Sequence, residues 1–207
     1  MTSLVLEAFA AQAARWPASG RHVLAQYDGD AVVVYQAYRP SIGRFAAEHG
    51  YFGGEFSLDR MSWIKPNFLW MMYRCGWAAK DGQEVVLAIW LARAAFDQIL
   101  SLAVPSSFDA DRYVDRAVWD ADVARSDVRL QWDPDHDPYG APVERRAVQL
   151  GLRRAVLARY AKEWIRRIED ITPFVREQRA QLERGGVAAL VTPREAVYPT
   201  GALGADR

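Results

Sequence analysis

A group of polar and basic side chains directly precedes the most apolar stretch of the chain. The group consists of Arg60, Ser62, Lys65 and Asn67. Pro66 and Gly76 predict a helix between them, because proline suits the first helical position and glycine the left-handed position just past a helix end. The free N–H groups and the dipole of a helix start favour an anion. The pattern therefore indicates a phosphate or carboxylate site, the alternative being that Arg60 and Lys65 pair with acidic neighbours or reach solvent.

The end of an apolar run at 31–38 carries a second polar group, formed by Gln36, Tyr38 and Arg39. A tyrosine ring can stack on a base and an arginine can pair with a phosphate, so the group suits a nucleotide. Trp63 offers a further ring for stacking. The alternative is an ordinary strand whose aromatic residues belong to the core.

An acidic segment forms a third group, with members Asp133, Asp135, His136 and Asp137. Carboxylates beside an imidazole can do general acid–base work or bind a divalent metal, whereas in a solvated turn the aspartates would cap the backbone. Turn-forming and charged residues dominate positions 133–140, so we expect a loop there. Three residues shortly after it could reach back as ion-pair partners or face a phosphate. They are Arg145, Arg146 and Gln149.

A lone carboxylate, Glu84, lies beside Gln83 at the start of a predicted strand over 85–91. Such a group can act as a catalytic base or stabilise an oxocarbenium centre, and the alternative is a solvated charge at a strand edge. The predicted catalytic residues are therefore Glu84, Asp133 and His136.

Several standard signatures are absent from the sequence. It contains no Gly-rich phosphate loop, no dinucleotide-binding Gly-x-Gly-x-x-Gly and no nucleophile elbow. A single cysteine, Cys75, rules out both an intrachain disulfide and a zinc site of clustered cysteines. No metal ligand set is predicted outside the acidic segment.

Length and composition indicate one folded globular domain over residues 1–207, with its core at about 20–200. The formal net charge is zero, so no global basic field favours nucleic acid, although a local patch could bind it. Only three of the 26 basic residues are lysines, and this arginine-rich composition is typical of a GC-rich bacterial genome. No signal peptide or membrane span is predicted, so we expect a cytoplasmic protein.

The mixture of predicted strands and helices favours an α+β fold, with mixed or antiparallel sheets around the buried aromatic helix. Strands are predicted at 31–38, 85–91 and 128–132, and a short helix at 42–49. The longest helical signal runs from Pro142 to about Asp170 and restarts at Thr172, which predicts a helical C-terminal part over 142–184. Its mostly heptad spacing could also support a dimer, so we expect a monomer or a homodimer.

Five segments together resemble the family catalogued as domain of unknown function 4291. They are residues 34–38, 60–74, 83–89, 131–136 and 146–153. The resemblance covers roughly residues 20–200, and the long segment at 60–74 is its most specific part. It implies membership of the family and no particular activity.

The element order is also similar to that of ADP-ribosyltransferase-like domains, from a strand ending in Tyr-Gln-Ala to an aromatic helix and a second apolar strand. This resemblance implies a split α+β fold that binds NAD in a cleft between two sheets. Members place an Arg or His on the first strand, a Ser or Tyr on the second and a Glu late in the chain. The first position would fall at Gln36 or Tyr38 here, and the last at Asp133 or Glu144.

Three functional hypotheses remain open. The first is an ADP-ribosyltransferase-like enzyme that uses NAD or a related nucleotide, with Arg60 and Lys65 holding the pyrophosphate, and modifies nucleic acid or protein. The second is a non-catalytic module that binds a nucleotide or a nucleic-acid end. The third is a metal-assisted hydrolase built on the acidic segment. All three place the site near the entrance of the core helix, with a nucleotide as the expected ligand and no membrane partner.

Overall fold

The computed structural model describes residues 2–200, which form strands, helices and one π-helical turn in an α+β arrangement. The strands are β1 (Leu6–Ala8), β2 (Gly20–Arg21), β3 (Leu24–Ala25), β4 (Ala31–Tyr38), β5 (Ser62–Ile64), β6 (Val85–Ala92), β7 (Ala103–Pro105), β8 (Val128–His136), β9 (Pro142–Leu152), β10 (Ile165–Asp170), β11 (Val191–Pro193) and β12 (Ala196–Val197). The helices are α1 (Phe9–Ala13), α2 (Pro40–His49), α3 (Phe68–Cys75), α4 (Arg93–Ser101), α5 (Arg116–Arg125), α6 (Arg154–Arg159) and α7 (Thr172–Gly185). The π-helical turn is Tyr160–Trp164, and a 3₁₀ turn covers Gly186–Ala189.

A three-stranded antiparallel sheet in the order β10-β6-β4 lies at the centre of the molecule. Both of its faces are buried. On β4, Val32 and Val34 join one apolar cluster while Val33 and Tyr35 join another. Because alternate side chains of a strand point to opposite faces, this continuous apolar run is what a doubly covered strand requires.

A second sheet of five strands covers one of those faces. Its order is β2-β9-β8-β7, with β5 also paired to β9. Val128 and Leu130 of β8 and Leu150 of β9 point into the apolar cluster shared with the central sheet. Alternate residues of β8 and β9 therefore point to the other side of this sheet, and several of these are polar.

Helix α3 packs against β4 and β8 and covers the other face of the central sheet, together with α7. Six of its eight residues are buried, as its sequence predicts. It ends at Gly76, whose left-handed backbone confirms the predicted C-cap. It begins at Phe68 instead of Pro66, because the side chain of Asn67 accepts a hydrogen bond from the backbone N of Trp70 and so caps the helix there.

The predicted helix from Pro142 to Asp170 is wrong. The first part is strand β9, and only α6 and the π-helical turn separate it from strand β10. Val148, Leu150 and Leu152 alternate along β9, and they reach one apolar cluster only in an extended chain that pairs with β8. Within the predicted helical part over 142–184, only α6, the π-helical turn and α7 are helical. The residues with heptad spacing therefore do not form one continuous helix.

The acidic segment is also not the predicted loop. Strand β8 continues through Asp133 and Asp135 to His136, paired with β9 across an irregularity in register. The turn that follows is formed by Asp137, whose Oδ1 accepts hydrogen bonds from the backbone N of Tyr139 and of Ala141. No helix within residues 2–200 is both long enough and apolar enough to cross a membrane.

Candidate functional site

A cavity of about 530 Å³ lies where β4, β5, α3, β8 and β9 meet. It is lined by Gln36, Ala37, Tyr38, Arg60, Met61, Ser62, Trp63, Lys65, Met71, Arg74, Gln83, Gln131 and Gln149. We call it the Lys65 cavity. It brings together six of the residues that the sequence put forward as ligand-binding, from both of the groups at 36–39 and 60–67.

Two hydroxyl groups are fixed in the Lys65 cavity by a buried amide. Tyr160 of the π-helical turn donates its hydroxyl to Gln36 Oε1 at 2.7 Å, which leaves the amide nitrogen to donate to Tyr38 Oη and to Ser62 Oγ, each at 2.8 Å. The two hydroxyl oxygens are 2.7 Å apart and share a hydrogen bond. Burial raises the pKa of Tyr38 far above its ordinary value, so this phenol stays neutral and keeps its proton.

Lys65 carries the most unusual side chain of the cavity. Its backbone forms a two-way bridge with Tyr35, which attaches it to strand β4. The residue is only 5% exposed, and its Nζ makes no hydrogen bond or ion pair with the described residues. Burial and, to a smaller extent, the charge of Arg74 lower the pKa of Lys65 to about 8, while the charge of Asp133 opposes the shift. An unpaired buried amine is costly to keep charged, so this one is available to a ligand.

Two arginines add positive charge at the exposed side of the Lys65 cavity. Arg60 is exposed and makes no ion pair within the described part of the chain. Arg74 projects from the last turn of α3, and Gln83 can accept from its Nη1 at 3.0 Å when the amide oxygen faces the guanidinium. Arg74 was not predicted from the sequence, although its spacing from Met71 places both on one face of α3.

Asp133 is joined to the Lys65 cavity by two glutamines. Gln131 donates to its Oδ1 at 2.8 Å and Gln149 donates to its Oδ2 at 2.7 Å. The strands explain this arrangement, because Gln131 and Gln149 are paired across β8 and β9 and Asp133 is the next residue on the same side of β8. Each amide nitrogen is thereby committed to the carboxylate, and each amide oxygen remains free to accept from a ligand.

The N-terminus of α3 is capped by side chains of the protein. The backbone N of Phe68 donates to Glu195 Oε1 at 2.6 Å, and Asn67 donates to the other oxygen at 3.3 Å. Burial raises the pKa of Glu195 well above its ordinary value. The position predicted for an anion at this helix start is therefore taken by a carboxyl group of the chain itself, and Asn67 is a capping residue that lies outside the cavity lining. Nothing local in the sequence relates Glu195 to α3.

Two further predicted residues lie away from the Lys65 cavity. Arg39 is exposed and pairs with Glu55 at 2.6 Å. Glu84 accepts from the backbone N of Gly82 at 2.9 Å, and it does not line the cavity. Arg39 directly follows Tyr38 and Glu84 directly follows Gln83, so each lies one residue away from a residue that lines the cavity.

The other members of the acidic segment lie outside the lining of the Lys65 cavity. Asp135 is buried and forms an ion pair with Arg145, with 2.6 Å between its Oδ2 and the guanidinium Nη2. The prediction that Arg145 reaches back to the acidic segment is thus confirmed. The ring of His136 stacks on Tyr73 at 3.5 Å between centroids, and burial lowers its pKa. Within residues 2–200 no three His, Cys, Asp or Glu side chains are grouped so that they could hold a metal ion.

A second cavity of the same volume lies between the N-terminal segment, β4 and β12. Its lining includes Trp16, Tyr27, Trp90 and Arg194, and none of the residues that the sequence put forward. The Lys65 cavity is therefore the better candidate for a functional site.

The chain belongs to the family described as domain of unknown function DUF4291, whose profile matches residues 22–198. No curated protein matches it significantly. The matched range contains every residue that lines the Lys65 cavity, together with Asp133 and Glu195.

Proposed function

We propose that this protein binds NAD or a related nucleotide in the Lys65 cavity and transfers its ADP-ribosyl group to nucleic acid or protein. The observation that carries the proposal is the buried amine of Lys65, which has no partner among residues 2–200 and lies in a cavity that also holds two arginines. A site with so much unpaired positive charge suits a ligand with at least two phosphate charges.

The pyrophosphate would lie between the exposed guanidinium groups of Arg60 and Arg74 and the amine of Lys65. Guanidinium groups bind phosphate oxygens in a bidentate manner, whereas an ammonium acts as a point charge. The two arginines would therefore orient the phosphates while Lys65 draws them inward. Binding should weaken as salt concentration rises, because the arginines are solvent-exposed and their charges are screened.

The sugar and one ring of the nucleotide would occupy the walls formed by β5, β8 and β9. Gln131 and Gln149 each have an amide oxygen free to accept from ribose hydroxyl groups. Trp63 lies across Gly151, where a Cβ would come within 3.1 Å of its ring, so the indole is held in place against the sheet. An indole face in this position can stack on the base or on the nicotinamide.

Asp133 would support the transfer step. Positive charge develops at the ribose carbon as the nicotinamide leaves, and a fixed carboxylate nearby stabilises that charge. Asp133 is a positioning residue in this scheme, since its contacts with Gln131 and Gln149 also set the orientation of both amides. Tyr38 and Ser62 would donate to oxygen atoms of the ligand from their shared hydrogen bond.

Calorimetric titration with NAD, ADP-ribose and ATP tests the binding part of the proposal. Lys65→Met and Arg74→Gln should each weaken NAD binding by about tenfold or more, since a hydrogen bond to a charged group contributes about 1.5–3 kcal/mol. Arg39→Ala is the matched control, because it removes an arginine that pairs with Glu55 outside the Lys65 cavity. Equal NAD affinities for all four proteins would place the ligand elsewhere.

Incubation with labelled NAD and candidate acceptors tests the transfer. Asp133→Asn should lower the transfer rate by at least about tenfold while changing NAD affinity less, because the lost charge acts mainly on the reacting state. Binding without transfer on any acceptor would favour the non-catalytic nucleotide-binding module. Turnover that disappears with a chelator and returns with a divalent ion would favour the metal-assisted hydrolase.

A further inference from the structure

Lys65 differs from the other two lysines of the chain in a way that bears on covalent chemistry. Lys80 and Lys162 are exposed, and Lys162 lies over the ring of Tyr51. Lys65 is buried, its side chain has no polar partner in the described part of the chain, and it lines a cavity large enough for a small ligand. A buried lysine without a partner is the form of this side chain that serves as a nucleophile towards carbonyl groups.

We propose that Lys65 forms a covalent imine with the aldehyde group of a phosphorylated sugar bound in the Lys65 cavity. The inference rests on the proposed function for the placement of the phosphates near Arg60 and Arg74. Where water takes the place of the acceptor in that function, cleavage of the bond between ribose and nicotinamide releases ADP-ribose, and the ring-opened form of ADP-ribose carries a free aldehyde. The ligand class is therefore an aldose with a phosphate or pyrophosphate at its other end.

The step balances without any oxidant or reductant. The lone pair of the neutral Nζ attacks the aldehyde carbon, a carbon–nitrogen bond forms and the carbonyl oxygen takes up a proton. The nitrogen loses one proton, which gives a carbinolamine. The hydroxyl group then takes up a second proton and leaves as water while the nitrogen forms its double bond to carbon, and the nitrogen finally loses its remaining proton. The sum is one amine and one aldehyde giving one imine and one water.

Burial is the main influence that favours the neutral form of the Lys65 amine. The charge of Arg74 also favours the neutral form, whereas Asp133 and Cys75 favour the charged form. With a pKa of about 8, the neutral fraction at pH 7 is about 300-fold larger than for an ordinary lysine. The charged amine suits phosphate binding and the neutral amine suits attack on the aldehyde, so the two roles belong to two protonation states of one side chain.

The hydroxyl groups of the Lys65 cavity fit the remainder of such a ligand. Tyr38 and Ser62 share one hydrogen bond, so each can exchange it for a bond to a sugar oxygen. Gln131 and Gln149 offer amide oxygens to the sugar hydroxyls. The sugar that carries the aldehyde would thus be held by these four side chains, and Lys65 would not be needed to position it.

Reductive trapping tests the proposal on the full-length protein. The protein is incubated with ADP-ribose, or with ribose 5-phosphate, and a hydride reagent that reduces imines, and the labelled peptides are identified by mass spectrometry. ADP is the matched control ligand, because it carries the pyrophosphate and has no sugar that can open to an aldehyde. Lys65→Arg keeps the positive charge and removes the nucleophile, and Lys80→Arg is the matched control variant.

We expect one dominant adduct on the peptide that contains Lys65, no adduct with ADP, and at least a tenfold loss in Lys65→Arg with none in Lys80→Arg. Labelling of Lys65 should increase as the pH rises through about 8, since only the neutral amine attacks the aldehyde. Equal labelling of all three lysines in the wild-type protein would overturn the proposal, whether or not the variants fold.

This experiment separates the inference from the proposed function. Tight binding of NAD and ADP-ribose without any adduct on Lys65 would leave the binding site in place and refute the imine. A Lys65 adduct with ribose 5-phosphate, in a protein that neither binds NAD nor transfers its ADP-ribosyl group, would support the imine and refute the transferase.

Discussion

Glu195 closes the N-terminus of α3 from 127 residues further along the chain, since its Oε1 accepts a hydrogen bond from the backbone N of Phe68 at 2.6 Å. Asn67 satisfies a second N–H group of the same helix turn. The positive end of the helix dipole therefore faces a group of the protein. As a result, the N–H groups of Phe68 and Trp70 are not available to a ligand, and an anion in the Lys65 cavity would be bound by Arg60 and Lys65 instead.

Glu195→Ala should destabilise the protein. The change leaves the N–H of Phe68 buried without a partner, which costs about 1–3 kcal/mol of unfolding free energy, and the lost side-chain volume adds to this. Urea unfolding measures the difference from wild type. Glu55→Ala is the control, because it removes a carboxylate from an exposed ion pair and should cost less than about 1 kcal/mol. Equal values for the two variants would argue against the buried cap.

Stability should also depend on pH through Glu195. Burial raises its pKa in the folded protein, so the folded state holds a proton that the unfolded chain releases near its ordinary pKa of 4.5. The stabilisation from this group is therefore complete below pH 4.5 and is lost as the pH rises towards the folded pKa. Glu195→Gln removes the titration, so the unfolding free energy of wild type minus that of Glu195→Gln should fall between pH 4 and pH 7. A difference that rises over this range would contradict the raised pKa.

The ion pair of Asp135 and Arg145 should matter far more to stability than the pair of Arg39 and Glu55. The first pair is almost fully buried and the second has both side chains more than half exposed. Asp135→Ala leaves a buried guanidinium without a counter-charge and should cost about 3–5 kcal/mol. Arg39→Ala should cost less than about 1 kcal/mol. Thermal and urea unfolding of both variants provide the comparison, and similar losses would mean that Arg145 finds another partner.

The parts of the fold that could be predicted from the sequence are those that local chemistry determines. The run Ala31–Tyr38 is apolar on both faces and forms a doubly covered strand, and Gly76 ends α3 as its left-handed preference predicts. Strand β9 was predicted as helix because it begins a longer segment whose apolar residues, from Leu150 to Ile171, follow a mostly heptad spacing. Only its pairing with β8 decides between the two periods, and that pairing is not a local property.

The same division holds for the candidate site. Six ligand-binding residues were predicted because they cluster in two short segments, and the bridge between Tyr35 and Lys65 brings those segments together. Gln149 was put forward as a residue that reaches back to the acidic segment or faces a phosphate, and it does contact Asp133. Gln131 and Arg74 could not be assigned, since they reach the cavity only through the β8–β9 register and the orientation of α3. Glu195 lies far from α3 in sequence, and no spacing rule relates the two.

Gly151→Ala should disturb the Lys65 cavity without straining the backbone. A Cβ at Gly151 would lie 2.6 Å from Met61 Sδ and 3.1 Å from two ring carbons of Trp63, so both side chains must shift. Overpacking of this kind costs about 1–3 kcal/mol of unfolding free energy, and displacement of the indole should weaken NAD binding by about tenfold if Trp63 stacks on the ligand.

Gly29→Ala is the matched control. Its new Cβ has no atom of the described residues within 4 Å, so the change should be neutral or stabilise the protein by up to about 1 kcal/mol. Unfolding and calorimetric titration of both variants give the two readouts. Lower stability with unchanged NAD affinity would show that the indole packs on the sheet without contacting the ligand.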